Sequence, residues 1–90
     1  MARIHIPNSL KYYTGGKQEI TVPGATAGEA FDNLLQQFPE LRKQIITSKG
    51  HLRSFINLYL EQTNIQDLRG LATPIKEGDQ LNLIASMTGG

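Results

Sequence analysis

Apolar and polar side chains alternate along several short segments of this chain, which is typical of β-strands with one buried face. Ile4 and Ile6 share one face of the first segment, and Leu81 and Leu83 share one face of the last. The first two segments are close in sequence, so we expect them to pair as a hairpin. The predicted strands cover residues 2–7, 18–22, 53–60 and 80–85, with a weaker one near residues 64–65.

A helical pattern lies between the second and third predicted strands. Thr26 and Glu29 have the spacing of a capping box, which marks a helix start. Pro39 should end this helix, and residues 41–46 predict one further helical turn. The apolar stripe of the main helix consists of Phe31, Leu34, Leu35 and Phe38.

The order of these elements is ββαβ(β)β, which predicts an α+β fold. The helix supplies a crossover, so the first and last strands can pair in parallel at the centre. We expect a β-grasp (ubiquitin-like) domain over residues 1–85, with a mixed sheet of four to five strands and one main helix on one face. Residues 86–90 should form a flexible C-terminal tail. The helix should pack on Ile4, Ile6, Ile56, Leu58, Leu60, Leu81 and Leu83.

Length, charge and composition narrow the classes of function. Ninety residues make one small domain. The 9 basic and 8 acidic residues leave a net charge of +1, which argues against nucleic acid or an anionic membrane as partner. We see no signal peptide and no apolar run of the ~20 residues that span a bilayer. Cysteine is absent, so we expect no disulfide and a cytoplasmic location.

The sequence predicts no catalytic constellation and no metal site, so we do not expect an enzyme. His5 and His51 stand apart from any cluster with metal-ligand spacing. Glu61 and Asp67 are too isolated to form an acid/base pair.

The chemically distinctive feature is the diglycine Gly89-Gly90 at the end of the chain. No side chain shields the Gly90 carboxylate, so an adenylating enzyme could thread it through a narrow channel. A nucleophile could then attack the activated carbonyl without steric hindrance. The preceding residues Ser86, Met87 and Thr88 are a linker that partners could recognise.

Four segments of the chain are distinctive: FINLY at residues 55–59, GLATPI at residues 70–75, EGD at residues 77–79 and the terminal diglycine. Through these segments the chain resembles a known family, the ubiquitin-like sulfur carriers. The family includes the thiamine-pathway carrier, the small subunit of molybdopterin synthase and the sulfur carrier of cysteine biosynthesis. The first two segments look closest to the cysteine-biosynthesis carrier, although the tail lacks the proline that often precedes the diglycine.

The resemblance implies a chemistry for Gly90. A ubiquitin-activating-like adenylyltransferase/sulfurtransferase would use ATP to adenylate the carboxylate, and a sulfur donor would then displace AMP to leave a thiocarboxylate. The acceptor would be a pyridoxal-phosphate-dependent, cysteine synthase-like enzyme, and a zinc-dependent peptidase would restore the diglycine end. The carrier itself would bind no cofactor.

Partners are expected to dock on the sheet face that the helix leaves open, near the root of the tail. Large apolar groups on an uncovered face suggest an interaction patch, although ordinary cross-strand packing is the competing explanation. The docking face is predicted to comprise Phe55, Asn57, Tyr59 and Ile84.

Three alternative functions stay open from the sequence. The chain could be a molybdopterin synthase small subunit, with its tail held in a catalytic partner. It could be a ubiquitin-like covalent protein modifier, joined through Gly90 to lysines. It could also be a plain binding module whose diglycine is accidental.

Overall fold

Five strands and two α-helices form the part of the chain that the structure, a computed structural model, describes, residues 1–85. No helix of that range is long and apolar enough to cross a membrane. The strands are β1 (Ala2–His5), β2 (Glu19–Val22), β3 (Ile56–Leu60), β4 (Thr63–Asn64) and β5 (Gln80–Ala85), the α-helices are α1 (Ala27–Gln37) and α2 (Pro39–Ile45), and short 3-10 helices cover Asn8–Thr14, Ile65–Asp67 and Gly70–Ala72.

The strands form one mixed sheet in the order β2-β1-β5-β3-β4. β1 and β5 pair in parallel at its centre, with Ile4 opposite Leu81, and the other pairs are antiparallel. A parallel pair needs a long crossover, and the chain between β1 and β5 contains α1. The predicted β-grasp architecture and the central parallel pair are therefore confirmed.

The core lies between α1 and the inner face of the sheet. The apolar positions of β1, β3 and β5 alternate into it, and Ile4, Leu81 and Leu83 are fully buried. Two predicted core residues, Phe38 and Leu60, are only partly buried. The core also contains buried residues beyond the predicted contacts between helix and sheet: Ala2, Leu10, Ile20, Val22, Ala27, Ala30, Leu41, Ile45 and Ile65.

The predicted start of β3 at residue 53 is wrong, and the strand begins at Ile56. The Ile56 N–H donates to the Arg53 carbonyl at 3.0 Å, which closes a turn through Ser54 and Phe55. Phe55 therefore lies in this turn and not in the strand as predicted. We call residues 53–56 the β3 turn.

The connection between β1 and β2 contains a 3-10 helix at Asn8–Thr14, for which the alternation of apolar and polar residues gives no signal. Its first turn is closed by the Leu10 N–H, which donates to the Pro7 carbonyl at 3.0 Å, and Leu10 packs into the core. The chain turns after Thr14 through two glycines with positive φ, Gly15 at 68° and Gly16 at 85°.

The N-terminus of α1 is capped as predicted, with one difference. Thr26 Oγ1 accepts the Glu29 N–H at 3.1 Å, but Glu29 Oε1 accepts the Ala25 N–H at 2.9 Å in place of the Thr26 N–H. At the other end, Phe38 separates the two helices and Pro39 opens α2 as its first residue.

The segment at residues 70–75 binds the first turn of α1. The Thr73 carbonyl accepts the Ala27 N–H at 2.9 Å, and the Thr73 hydroxyl donates to the Gly70 carbonyl at 2.7 Å. Gly28 allows a close approach, because a Cβ there would lie 2.9 Å from the Leu71 carbonyl oxygen. The residues that carry much of the family resemblance therefore have a structural role, which is to fasten this loop to the helix.

Candidate functional site

The root of the predicted tail lies where β5 ends. β5 covers Gln80–Ala85, as predicted, and its last residue, Ala85, pairs with Ile56 at the start of β3. Ala85, from which the predicted tail would start, therefore lies beside the β3 turn. The predicted site residues Ser86, Met87, Thr88, Gly89 and Gly90 lie outside the described residues, so their roles stay predictions.

Three residues of the predicted docking face, Asn57, Tyr59 and Ile84, lie on the open side of the sheet, and the fourth, Phe55, lies in the adjoining β3 turn. Asn57 lies directly opposite Ile84, and Tyr59 lies opposite Asn82, two pairs further from the tail root. Phe55 and Ile84 are 37% and 38% exposed, whereas Asn57 and Tyr59 are half-buried. The two most exposed apolar side chains belong to the tail-root end, and the docking role of the four residues stays a prediction.

The two halves of the open sheet face differ in charge. The outward positions of β1 and β2 include Arg3, His5 and Glu19. The outward positions of β3 and β5 are uncharged, namely Asn57, Tyr59, Gln80, Asn82 and Ile84. An uncharged surface with some apolar area can be covered by a partner without desolvating an ion, so the β3–β5 half is the better candidate for docking.

Amide side chains order this uncharged half. Asn82 Nδ2 donates to the Glu61 carbonyl at 2.8 Å, and Gln80 Nε2 donates to Asn82 Oδ1 at 2.9 Å. A longer contact of 3.5 Å joins Asn64 Nδ2 to Asn57 Oδ1. These bonds fix the orientation of side chains that would otherwise turn freely, and they leave a preformed polar pattern around Tyr59.

Glu61 marks the end of the docking face that is remote from the tail root. It is the one residue other than glycine with positive φ in the described range, at 55°. Its N–H donates to the Gln80 carbonyl at 2.9 Å, and its carboxylate accepts the Gln80 N–H at 2.8 Å. These two bonds to β5 hold the turn in a conformation that a non-glycine residue rarely adopts.

A shallow depression lies on the docking face, lined by Tyr59, Glu61, Gln62, Asn82 and Ile84. Of these residues, only Tyr59 and Ile84 belong to the docking face predicted from the sequence. Strand alternation places Asn82 on the same face as Ile84 and could have found it. The positions of Glu61 and Gln62 depend on the strained turn, for which the sequence offers no signal.

A second groove lies on the helix side, between α1, α2 and the loop that carries His51. Asp32, Arg42 and Gln66 contribute polar side chains to it, and Phe31 and Leu35 contribute apolar surface. No group of three or more potential metal ligands occurs within residues 1–85. The groove is not part of the open sheet face, so we assign the candidate site to the docking face and the tail root.

Comparison with known proteins bears on this assignment. The ThiS family profile matches residues 4–90, which is nearly the whole chain. The sulfur carrier protein CysO of Mycobacterium tuberculosis is 28% identical over 89 residues, a match that covers 97% of this chain and 96% of CysO.

Solved structures share the fold over the same length. A chain in the crystal structure of the Amycolatopsis orientalis BexX/CysO complex superposes with a TM-score of 0.86 at 27% identity, covering 100% of both chains. SAMP1 from Haloferax volcanii superposes with a TM-score of 0.80 at 25% identity, covering 99% of this chain and 98% of SAMP1. Since the family profile covers both the β-grasp domain and the terminal diglycine, the chain belongs to the ThiS family.

Proposed function

We propose that this protein is a sulfur carrier whose Gly90 carboxylate becomes a thiocarboxylate and donates its sulfur in cysteine biosynthesis. The observation that carries this proposal is the family match, which extends through the diglycine. The likeness to CysO over nearly the full length of both chains favours the cysteine branch.

The chemistry requires activation because a carboxylate is a poor electrophile. Adenylation by an ATP-using partner joins the carboxylate oxygen of Gly90 to the α-phosphorus of ATP and releases pyrophosphate. A sulfur nucleophile at the sulfide oxidation level then attacks the acyl carbon, and AMP leaves with the bonding electron pair. The product is a C-terminal thiocarboxylate, and no electron acceptor is needed.

The acceptor in this proposal is a pyridoxal-phosphate-dependent, cysteine synthase-like enzyme that presents an electrophilic aminoacrylate. The thiocarboxylate sulfur attacks its terminal carbon and forms a carbon–sulfur bond. A zinc-dependent peptidase would then release the new amino acid and restore the diglycine. The carrier is a protein cosubstrate in each step, binds no cofactor of its own and acts in the cytoplasm with these enzymes.

The geometry at the tail root fits a carrier that is handed between enzymes. β5 lies between two neighbouring strands, β1 and β3, so the root of the tail is fixed to the centre of the sheet. Residues 86–90 can reach about 17 Å when extended, at about 3.4 Å per residue. A partner that covers Phe55 and Ile84 would therefore hold the chain close to where the tail enters its active site.

A covalent protein modifier is the second candidate. The likeness to SAMP1, whose other solved structure is described as that of the small archaeal modifier protein 1, favours it. Such a modifier would use the same adenylated Gly90, but a lysine amine would displace AMP and form an isopeptide bond. The two candidates differ in the nucleophile and not in the fold.

Intact mass spectrometry of the untagged protein from its native cell tests the proposal. We expect a species heavier by the exchange of one oxygen for one sulfur, localised to the C-terminal peptide. Isopeptide adducts through Gly90 would favour the modifier. A free carboxylate alone, even after incubation with ATP, sulfide and extract of the same cell, would overturn the sulfur-carrier proposal.

A further inference from the structure

The β3 turn is the structural neighbour of the tail root. β3 and β5 are antiparallel, and Ile56 at the start of β3 pairs with Ala85 at the end of β5. The residues before Ile56 therefore lie beside Ala85, the last residue that the structure describes. Arg53, Ser54 and Phe55 are all exposed at this point.

The backbone of Arg53 is held by hydrogen bonds, whereas its side chain has no hydrogen-bond partner within residues 1–85. Its N–H donates to the carbonyl of Ile45, a fully buried residue of α2, at 2.9 Å, and its carbonyl accepts the Ile56 N–H at 3.0 Å. Within residues 1–85 its guanidinium forms no hydrogen bond and no ion pair. The fold thus fixes the backbone of Arg53 beside the tail root and leaves its cationic group available for a partner.

The charge of Arg53 contrasts with its surroundings. The docking face that begins at Phe55 is uncharged along β3 and β5, and the next charged side chain along β3 is Glu61 at the far end. About 13 Å separates Ile56 from Leu60, the two ends of β3, at about 3.3 Å per residue. Opposite charges at its two ends make the charge distribution of this face asymmetric. A partner with complementary charges would therefore bind the face in one orientation.

We propose that Arg53 is a positioning residue that pairs with an acidic side chain at the mouth of the adenylating partner's tail channel. This inference rests on the proposed function. Charges at the edge of an interface contribute to orientation and association rate more than to affinity, because solvent screens them. Arg53 would not touch the reacting atoms of Gly90, and its effect should appear in KM and not in kcat.

The test is ATP–pyrophosphate exchange catalysed by the adenylating enzyme of the same cell, with the full-length carrier as the varied substrate. An exposed ion pair changes KM by about 1.5- to 5-fold, so Arg53→Gln should fall in that range. Arg53→Glu should raise KM about 10-fold or more because it places like charges together. Arg53→Lys should restore most of the loss, and kcat should stay within about twofold throughout.

Arg69→Glu is the matched control. Arg69 is also exposed, and its N–H donates to Thr73 Oγ1 in the loop that fastens to the first turn of α1. The first turn of α1 follows the end of β2, where Val22 pairs with Ala2. This end of the sheet also contains the start of β5, because Gln80 pairs with Arg3. The tail root is at the opposite end, so Arg69→Glu should leave KM unchanged.

The dependence of KM on ionic strength is a second measurement. It should not differ between wild type and Arg53→Gln if Arg53 has only a structural role. Raising ionic strength from about 0.01 to 0.15 M shortens the Debye length from about 30 to 8 Å. Wild-type KM should therefore rise with salt, and the KM of Arg53→Gln should rise less. If Arg53→Glu leaves KM unchanged, or if Arg69→Glu raises KM equally, the positioning role of Arg53 is overturned. Exchange with the wild-type carrier would in that case still support the proposed function. Absence of exchange with the wild-type carrier would overturn both.

Discussion

The docking face makes the most direct prediction about partner recognition. Phe55 and Ile84 are its most exposed apolar side chains, at 37% and 38%. If a partner covers them, truncation of either to alanine removes apolar area that is buried only in the complex. We therefore expect Phe55→Ala and Ile84→Ala to weaken binding to the adenylating partner.

The size of the effect follows from the exposed fractions. Complete burial of a large apolar side chain stabilises by about 1.5–3 kcal/mol, so covering the exposed 38% of Ile84 contributes about 0.6–1.1 kcal/mol. Because about 1.4 kcal/mol corresponds to a tenfold change, each variant should raise the KM for the carrier about 2.5- to 7-fold. The double variant should raise it about 7- to 50-fold if the two effects add.

The assay is carrier-dependent ATP–pyrophosphate exchange, measured at a temperature where every variant is folded. The chain offers matched controls in Leu68 and Leu71, which are 45% and 48% exposed in the connection between β4 and β5. Leu68→Ala and Leu71→Ala remove a comparable exposed area without touching the docking face. Their KM values should equal that of the wild type.

Two results would refute this reasoning. If the double variant has the wild-type KM, partners do not cover this face, and the apolar groups serve cross-strand packing. If the two leucine controls raise KM as much as the docking-face variants, the loss reflects general destabilisation or a different interface. Circular dichroism of each variant separates these explanations, because a folded variant with raised KM has lost a contact.

Two further predictions concern the fold and are measured by urea unfolding. Thr73→Val should lower the free energy of unfolding by about 1–2 kcal/mol because the Arg69 N–H loses its acceptor. Thr73→Ser keeps a hydroxyl and should lower the free energy of unfolding less, so a valine variant as stable as the serine variant would contradict this prediction. Gly24→Ala should cost about 2–3 kcal/mol, since its Cβ would lie 2.6 Å from the Ala30 backbone nitrogen; a loss below about 1 kcal/mol would show that the helix shifts readily.

The fold was largely predictable because its elements carry local signals. Strand alternation located β5 to the residue, and the Thr26–Glu29 spacing located the start of α1. The start of β3 was placed too early because apolar alternation continues through Phe55, while a hydrogen bond between Ile56 and Arg53 ends the strand. Turn hydrogen bonds of this kind leave no periodic pattern in the sequence.

The candidate site was predictable in part for the same reason. Asn57, Tyr59 and Ile84 were placed on one face by a period of two, which a strand enforces. Asn82 obeys the same rule and was overlooked. Glu61 could not have been found, because its positive φ is stabilised by contacts with Gln80, a residue 19 positions away.

Periodicity, capping residues and short motifs are local features, so the sequence alone predicts the class of fold, the family and the chemistry expected of the terminal diglycine. The residues that border the tail root follow from tertiary pairing and not from any local pattern. Arg53 and Ala85 are 32 positions apart in the chain, and the antiparallel register of β3 and β5 brings their ends of the sheet together. Neighbourhoods across strands arise from pairing and packing of the whole domain, so they can be determined only once the chain has folded.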